Sequence, residues 1–172
     1  MNVDNPYAAP EAELTPFRVV TKHSELATRS SRFTAAILDG VIALAYGFPI
    51  LYLTGTWNYM SRGQNPPVGL TIAGSVISFL MFVLVHGYFL KTNGQTVGKK
   101  LTGIRIADLD GNVPDVTKVI LARYLPISVI SLIPVVGMFF PLLDVLFIFR
   151  GDRRCIHDLI AGTKVVMVKN RG

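Results

Sequence analysis

Three apolar stretches divide the chain, and polar segments separate them. Residues 33–54 form a stretch of 22 residues whose only charge is Asp39, and residues 68–90 form a stretch of 23 residues without Asp, Glu, Lys or Arg. Each has the ~20 residues that a helix needs to cross the hydrocarbon core of a bilayer. Both stretches are therefore predicted to be membrane-spanning helices.

The third apolar stretch, residues 119–149, is too long for one upright crossing. As a single helix it would measure ~46 Å, whereas the hydrocarbon core is ~30 Å thick. Its midpoint carries Pro134-Val135-Val136-Gly137, a combination that favours a break. We predict a helical hairpin with arms 119–133 and 136–149, which either cross the membrane at a tilt or form a re-entrant pair supported by other helices.

The polar segments after the second and third stretches contain shorter elements. Ile104–Ala107 alternates and precedes turn residues, and Thr163–Val168 is apolar and β-branched, so the two are predicted to pair as a small sheet. Residues 152–161 predict a short helix, with Asp152 as the candidate N-cap and Gly162 as the stop. The basic face of this helix is expected to lie on anionic lipid headgroups.

Composition agrees with a membrane protein. Hydrophobic residues make up 51% of the 172 residues and charged residues only 16%, below the usual ~25%. One cysteine rules out a disulfide scaffold. The net charge is +6, but the basic residues flank the apolar stretches instead of forming a basic face with interleaved aromatics, so no nucleic-acid partner is expected.

The distribution of Lys and Arg predicts the orientation. Residues 1–32, 91–118 and 150–172 hold four, five and six basic residues, whereas the linker 55–67 holds one. By the positive-inside rule the first three segments are cytoplasmic, so the hairpin crosses an even number of times. The predicted fold class is an all-α transmembrane four-helix bundle, with both termini, a small β element and an interfacial helix on the cytoplasmic side.

The chain is predicted to hold one membrane domain and a tail. Residues 1–28 are polar and irregular, with Pro6 and Pro10, and are expected to be a disordered cytoplasmic tail. Residues 29–170 form the membrane domain. The N-terminal region has no apolar core after a basic start, so no signal peptide is expected.

Ionisable residues within the apolar stretches are the main functional signal. With the predicted topology, five of them fall in the inner leaflet on four helices: Arg32, Asp39, His86, Arg123 and Asp144. A lone charge at mid-membrane costs roughly 2.5–3.5 kcal/mol, so Asp39 and Asp144 are expected to pair with Arg32 and Arg123. Such a cluster is either an exchange site for a proton or cation, with His86 as a relay, or an ion-paired clasp that fixes helix packing.

Other motifs do not indicate an enzyme or a cofactor. Residues 94–100 are one residue short of a phosphate loop and carry Lys100 where Ser or Thr would bind magnesium. Cys155 and His157 supply two metal ligands at most, so no metal site is predicted. No nucleophile set is visible. Asp158 is expected to be a surface or interfacial partner of a nearby basic residue, Arg153, Arg154 or a lysine.

Three separated motifs resemble the RDD family of bacterial membrane proteins over about residues 29–168. They are Arg32 with Asp39 in the first helix, the loop 94–105, and the segment 153–163. The loop and the C-terminal segment contain the residues that match the family signature, which are Gly94, Gln95, Gly98, Lys99, Arg105 and Asp158. The resemblance implies a multi-pass inner-membrane protein involved in transport, and some members look like cation/proton antiporters. By motif the family's late aspartate is Asp158, whereas the membrane position favours Asp144.

Two functions follow from these observations. The first is a small transporter, or transport subunit, for a proton or monovalent cation, with Asp39 and Asp144 as the exchanging carboxylates. Four helices are few for alternating access, so a homo-oligomer is expected. The second is a membrane scaffold or assembly factor that acts through its cytoplasmic face, residues 91–118 with 150–172.

Overall fold

Two long apolar helices are the largest elements of the structure, a computed structural model that describes residues 25–133 and 136–168. Helix α1 (Arg29–Leu53) has 25 residues and helix α3 (Val68–Asn93) has 26, and both are long and apolar enough to cross a membrane. They pack against each other. The short helix α2 (Thr56–Met60) lies in the connection between them. The predicted helices 33–54 and 68–90 correspond to α1 and α3.

Large apolar side chains cover the outer surfaces of these two helices. Examples that are more than half exposed are Phe33, Val41, Leu44, Tyr52, Leu80, Leu84 and Tyr88. Contiguous apolar surface of this extent marks contact with a membrane or another protein. The outward faces therefore agree with the membrane character of the sequence.

The third apolar stretch forms two helical segments. The first is continuous from α5 (Val116–Lys118) through a π-helical turn (Val119–Tyr124) to α6 (Leu125–Ile130). The second is α7 (Val136–Leu146), which ends in a 3₁₀ turn (Phe147–Phe149). Pro134 and Val135, in the predicted break, lie outside the described residues. The helices on either side of them end and begin close to the predicted bounds.

The π-helical turn was not predicted, and Pro126 explains its position. Proline has no amide hydrogen, so it leaves a gap in the normal hydrogen-bond ladder. The amide of Leu125 instead donates to the carbonyl of Ile120, five residues back. This wider turn carries Arg123, which is only 2% exposed. π turns of this kind are frequent at functional sites.

A small antiparallel sheet joins the ends of the helices, as predicted. Strand β1 (Ile104–Asp108) pairs with β2 (Thr163–Met167), with Ile106 opposite Val165. Their buried side chains pack in two groups. The first group is Ala27, Ala35, Ile104 and Val165, and the second is Leu90, Ile106 and Val119. The sheet thus holds the start of α1 and the end of α3 together.

The sheet also orders residues that were assigned to the tail. Leu26 forms a bridge with Val166, and the amide of Ala27 donates to the carbonyl of Val165 at 3.0 Å. The amide of Met167 donates to the carbonyl of Glu25 at 2.9 Å. Residues 25–28 therefore belong to the folded part of the chain. Residues 1–24, the remainder of the predicted tail, lie outside the described residues.

Helix α4 (Val97–Leu101) lies directly against α1, and glycine makes this approach possible. A Cβ atom added at Gly98 would lie 2.4 Å from the carbonyl oxygen of Ala35 and 2.8 Å from Oδ1 of Asp39. Gly94 precedes α4 with φ +66°, in the left-handed region, and a Cβ there would lie 2.6 Å from the carbonyl oxygen of Ile106. Gly94 and Gly98, two of the three glycines of the 94–105 loop, are thus required by close backbone contacts.

We expect Gly98→Ala to destabilise the protein by about 1–3 kcal/mol, since the added methyl must push α4 away from α1. Gly40→Ala is the matched control, because a Cβ atom at Gly40 has nothing within 4 Å. Thermal unfolding in detergent measures both variants. Equal unfolding midpoints for the two would contradict the close contact between α4 and α1.

Candidate functional site

Asp158 lies at the centre of a buried ion-paired group and is 0% exposed. Its Oδ2 accepts from Nη2 of Arg32 at 2.5 Å, and its Oδ1 accepts from Nη1 of Arg123. We call these three residues the Asp158 clasp. It joins α1, the π-helical turn and the short helix α8 (Ile156–Ala161). Burial raises the pKa of Asp158, but the neighbouring positive charges outweigh burial and hold it below its usual range.

The clasp corrects two predictions. Arg32 and Arg123 do not pair with Asp39 and Asp144, and Asp158 is not a surface residue. The reason is the tertiary path of the chain. Helix α8 directly precedes β2. Because β2 pairs with β1, α8 lies next to the start of α1 and packs against the π-helical turn.

The start of α8 also differs from the prediction. The helix begins at Ile156, and Cys155, not Asp152, is the N-cap. The amide of Cys155 donates to Oδ2 of Asp158 at 3.1 Å, so the same carboxylate that binds the arginines closes a capping box. Gly162 ends the helix with φ +61°, as predicted.

Asp144 and His157 form a second pair beside the clasp. Nδ1 of His157 lies 2.5 Å from Oδ2 of Asp144, and the amide of His157 donates to Oδ1 at 3.1 Å. Nη2 of Arg123 lies 2.9 Å from Nε2 of His157. Arginine can only donate, so Nε2 is the acceptor and Nδ1 carries the proton that is donated to Asp144. Burial and the charge of Arg123 both lower the pKa of His157, and the ring is therefore neutral near pH 7.

Asp39 has a different role from the one expected. Its carboxylate accepts from the Thr96 hydroxyl at 2.5 Å and from the Gly98 amide at 2.8 Å, and it lies 3.7 Å from Nζ of Lys99. All three partners belong to the 94–105 loop. Asp39 therefore fastens this loop to α1 and does not contact Arg32 or Arg123 in the described structure.

His86, predicted as a relay, and the signature residue Gln95 also stabilise this loop, and the signature residue Arg105 binds the turn that follows β1. His86 is 1% exposed, and its Nδ1 accepts from the amide of Val97 at 3.2 Å. Nε2 of Gln95 donates to the carbonyl of Ile104 at 2.8 Å. Nη2 of Arg105 donates to the carbonyl of Gly111 at 2.9 Å. The structure thus separates the predicted site into an anchored loop around Asp39 and His86 and a charged centre around Asp158 and Asp144.

Two cavities meet at this charged centre. The wide cavity, about 770 Å³, is lined by the C-terminal half of α1, by α3 and by α6. The narrow cavity, about 340 Å³, is lined by the first residues of α1, by Lys99 and by the end of α7. Arg123, Asp144 and His157 line both cavities.

Three metal-binding residue types also converge here, where the sequence suggested two at most. Donor atoms of Asp144, Cys155 and His157 lie within 4.8 Å of one another. However, Arg32 donates to Sγ of Cys155 at 3.3 Å, and Arg123 donates to His157. Since both guanidinium groups repel a cation from these donors, we assign no metal to the cluster.

The long apolar helices define a membrane-type helical protein, and comparison with known proteins identifies its family. The chain belongs to the RDD family, whose family model matches residues 26–162. The resemblance seen in the sequence is therefore confirmed.

Two relatives of this chain are similar over most of their length. An uncharacterized protein of Bacillus subtilis (strain 168), YckC, is 29% identical over 136 residues, which cover 78% of this chain and 80% of the relative. An uncharacterized protein of Haemophilus influenzae (strain ATCC 51907 / DSM 11121 / KW20 / Rd) is 29% identical over 153 residues, which cover 87% and 85%. No solved structure matches the chain.

The sequence indicated Asp144 and Arg123 as candidates, but it did not indicate His157, which contacts both of them. His157 was considered only as a metal ligand. Its position next to Asp158, in the C-terminal signature, was the available signal. Thr96 was also missed, although it caps α4 and binds Asp39.

We expect Asp158→Asn to destabilise the protein by about 3–5 kcal/mol, because it leaves two buried guanidinium groups without a counter-charge. Asp152→Asn is the control, since Asp152 forms an exposed pair with Arg150 that contributes at most about 1 kcal/mol. Chemical denaturation in mixed micelles measures both. A similar small loss in both variants would contradict the importance of the clasp.

Cys155 offers a direct measure of burial at the site. It is 5% exposed, and burial raises the pKa of its thiol to about 11. Because the thiolate is the reactive form, alkylation of the folded protein at pH 8 is expected to be at least about tenfold slower than in the SDS-unfolded chain. The single cysteine makes mass spectrometry a clean readout. Equal rates in the two states would show that the thiol is open to solvent.

Proposed function

We propose that this RDD-family membrane protein is a small proton-exchanging transporter in which Asp144 and His157 are the exchange pair. The observation that carries the proposal is the position of this pair, which lines both cavities. A group that reaches two cavities can take up a proton from one and release it to the other.

The two cavities extend toward opposite ends of α1. The wide cavity reaches Tyr46, Ile50 and the α1–α3 connection at Thr56, whereas the narrow cavity reaches Arg29 and Ser30. A helix of 25 residues is ~37 Å long, comparable with the ~30 Å hydrocarbon core. This arrangement supports access from both sides of a membrane.

The chemistry of the pair suits proton exchange. One hydrogen bond, at 2.5 Å, joins the Nδ1 proton of His157 to the carboxylate of Asp144. A proton that Asp144 takes up from one cavity can leave from the same carboxyl group to the other cavity, because Asp144 lines both, while His157 keeps its Nδ1 proton. Arg123, in contact with Nε2, disfavours a second positive charge on the ring. The pair is thus biased toward carrying one exchangeable proton.

The same contacts favour a proton over a metal cation as the exchanged species. Arg32, Arg123 and Lys99 all line the narrow cavity and raise the cost of bringing Na⁺ or K⁺ to Asp144. Asp39 was the other candidate for exchange, but its oxygens are engaged by Thr96, Gly98 and Lys99. We therefore assign exchange to Asp144 and anchoring to Asp39.

The proposed topology remains the one that the basic residues favour. The helices form a four-helix bundle in the inner membrane, with both termini and the β1–β2 sheet in the cytoplasm. The signature loop, the sheet and α8 then face the cytoplasm together. A homo-oligomer supplies additional helices around the cavities.

We expect Asp144→Asn to abolish proton exchange, because asparagine cannot gain or lose a proton near neutral pH. The measurement is dissipation of an imposed pH gradient, followed with an internal dye in proteoliposomes, with Na⁺, K⁺ or neither outside. Asp110→Asn, at an exposed turn, is the control and should exchange like the parent.

Exchange by Asp144→Asn at the parental rate would disprove the proposed role of this residue. Absence of exchange by the well-folded parent would disprove the transporter itself. In that case the scaffold hypothesis, with its site on the cytoplasmic face, becomes the favoured one.

A further inference from the structure

We propose that the narrow cavity binds an anionic amphiphile, a molecule with a phosphate or carboxylate head and an alkyl chain. The cavity is about 340 Å³, within the size range of small-molecule sites. Its walls divide into a cationic part and an apolar part, and each part matches one end of such a molecule.

The cationic part of the wall has more positive groups than nearby carboxylates can balance. It contains Arg29, Arg32, Lys99 and Arg123. One carboxylate, Asp158, serves both Arg32 and Arg123, and Asp39 serves Lys99. Asp144, also in the wall, is bound by the neutral His157. Within residues 25–133 and 136–168, Arg29 forms no ion pair.

Arg29 is held only by weak contacts and is free to turn toward an anionic head. Its Nε donates to the carbonyl of Ile148 at 3.4 Å, and its guanidinium lies 5.6 Å from the centre of the Phe149 ring. Arg29 and Ser30 are also the first residues of α1, where free amide groups and the helix dipole favour negative charge.

Arg123 adds a second observation, an unsatisfied donor beside the cavity. It is 2% exposed, and its Nε has no hydrogen-bond partner in the part of the chain that the structure describes. A buried donor without an acceptor is costly. Arg123 lines the narrow cavity and the wide cavity alike, so this unsatisfied donor lies beside both.

The apolar part of the wall lies at the outer surface. Phe33, Val145 and Phe149 line the cavity and are 57%, 38% and 65% exposed. Ile148, which also lines it, is buried. An alkyl chain can enter along these exposed side chains, whereas a compact inorganic anion would leave them uncovered.

The anion that we propose for the narrow cavity is also a candidate for the transported solute. Because the narrow cavity reaches Asp144 and His157, the bound anion would be the solute that moves with the proton, and this step alone rests on the proposed function. Binding itself requires only the cavity, and it can be measured without a pH gradient.

The test uses the full chain in a neutral detergent and dodecyl phosphate as the probe, with binding followed by native mass spectrometry. We expect saturable binding of one molecule, weakened about tenfold in Arg29→Gln through loss of a charge-assisted contact. Arg62→Gln, an exposed arginine in the α1–α3 connection, is the matched control and should bind like the parent. Equal affinity of Arg29→Gln and parent would overturn the proposal.

Two further ligands test the two halves of the claim. Dodecyltrimethylammonium should not compete, and inorganic phosphate should bind at least about tenfold more weakly than dodecyl phosphate. Competition by the cationic amphiphile would overturn the anionic preference, and equal binding of inorganic phosphate would overturn the amphiphile. Ala36→Phe, which fills the apolar part without removing charge, should weaken binding of dodecyl phosphate even if Arg29→Gln fails to fold.

The source of the amphiphile is distinguished in nanodiscs. Displacement of dodecyl phosphate by phosphatidylglycerol, but not by phosphatidylcholine, identifies a lipid headgroup as the natural ligand. Retention of dodecyl phosphate in both lipids identifies a free anionic amphiphile. Asp144→Asn removes a negative charge from the cavity wall and should bind the anionic probe more tightly than the parent does. Loss of exchange without weaker binding therefore separates this inference from the transporter proposal.

Discussion

The ion pairing of one buried carboxylate with two arginines holds the described parts of this protein together. Asp158 lies on a short helix that would be unstable alone, yet its carboxylate contacts Arg32 on α1 and Arg123 on the π-helical turn. Each buried arginine would be costly without a counter-charge, and one carboxylate reaches both because its two oxygens face different elements. Removal of this residue separates three elements at once.

The remaining positive charge gives the centre its chemical character. With Asp158 shared between two guanidinium groups, Arg123 also contacts the neutral ring of His157, which in turn binds Asp144. The second carboxylate is therefore joined to the clasp through a proton-bearing histidine and not through a direct ion pair. This difference is why we propose Asp144, and not Asp158 or Asp39, as the exchanging group, and why we propose an anion as the ligand of the adjoining narrow cavity.

The loop 94–105, which Asp39 and His86 anchor, accounts for the family-signature residues that lie outside the Asp158 clasp. Gly94 and Gly98 allow close backbone contacts, Thr96 and Asp39 bind each other, and His86 accepts an amide from the same loop. These contacts fix α4 against α1 and orient Lys99 toward the narrow cavity. The loop 94–105 resembles a phosphate-binding loop in sequence, but its role here is to fix α4 against the first helix. Its hydroxyl and amide groups bind Asp39 and His86 within the protein.

Local patterns in the sequence determined the elements, and the tertiary structure decided the charge partners. Apolar length predicted α1 and α3, Pro and Gly predicted the division of the third stretch, and β-branched and alternating residues predicted the strands β1 and β2, because each of these depends on neighbouring residues. Topology in a membrane, drawn from the basic residues, stays a prediction. The pairing of Arg32 and Arg123 with Asp158 could not be predicted, since it depends on how β2 draws α8 beneath α1, over more than 120 residues of chain. Helical position indicates how deep a charge lies, but it does not indicate which opposite charge from a distant segment meets it.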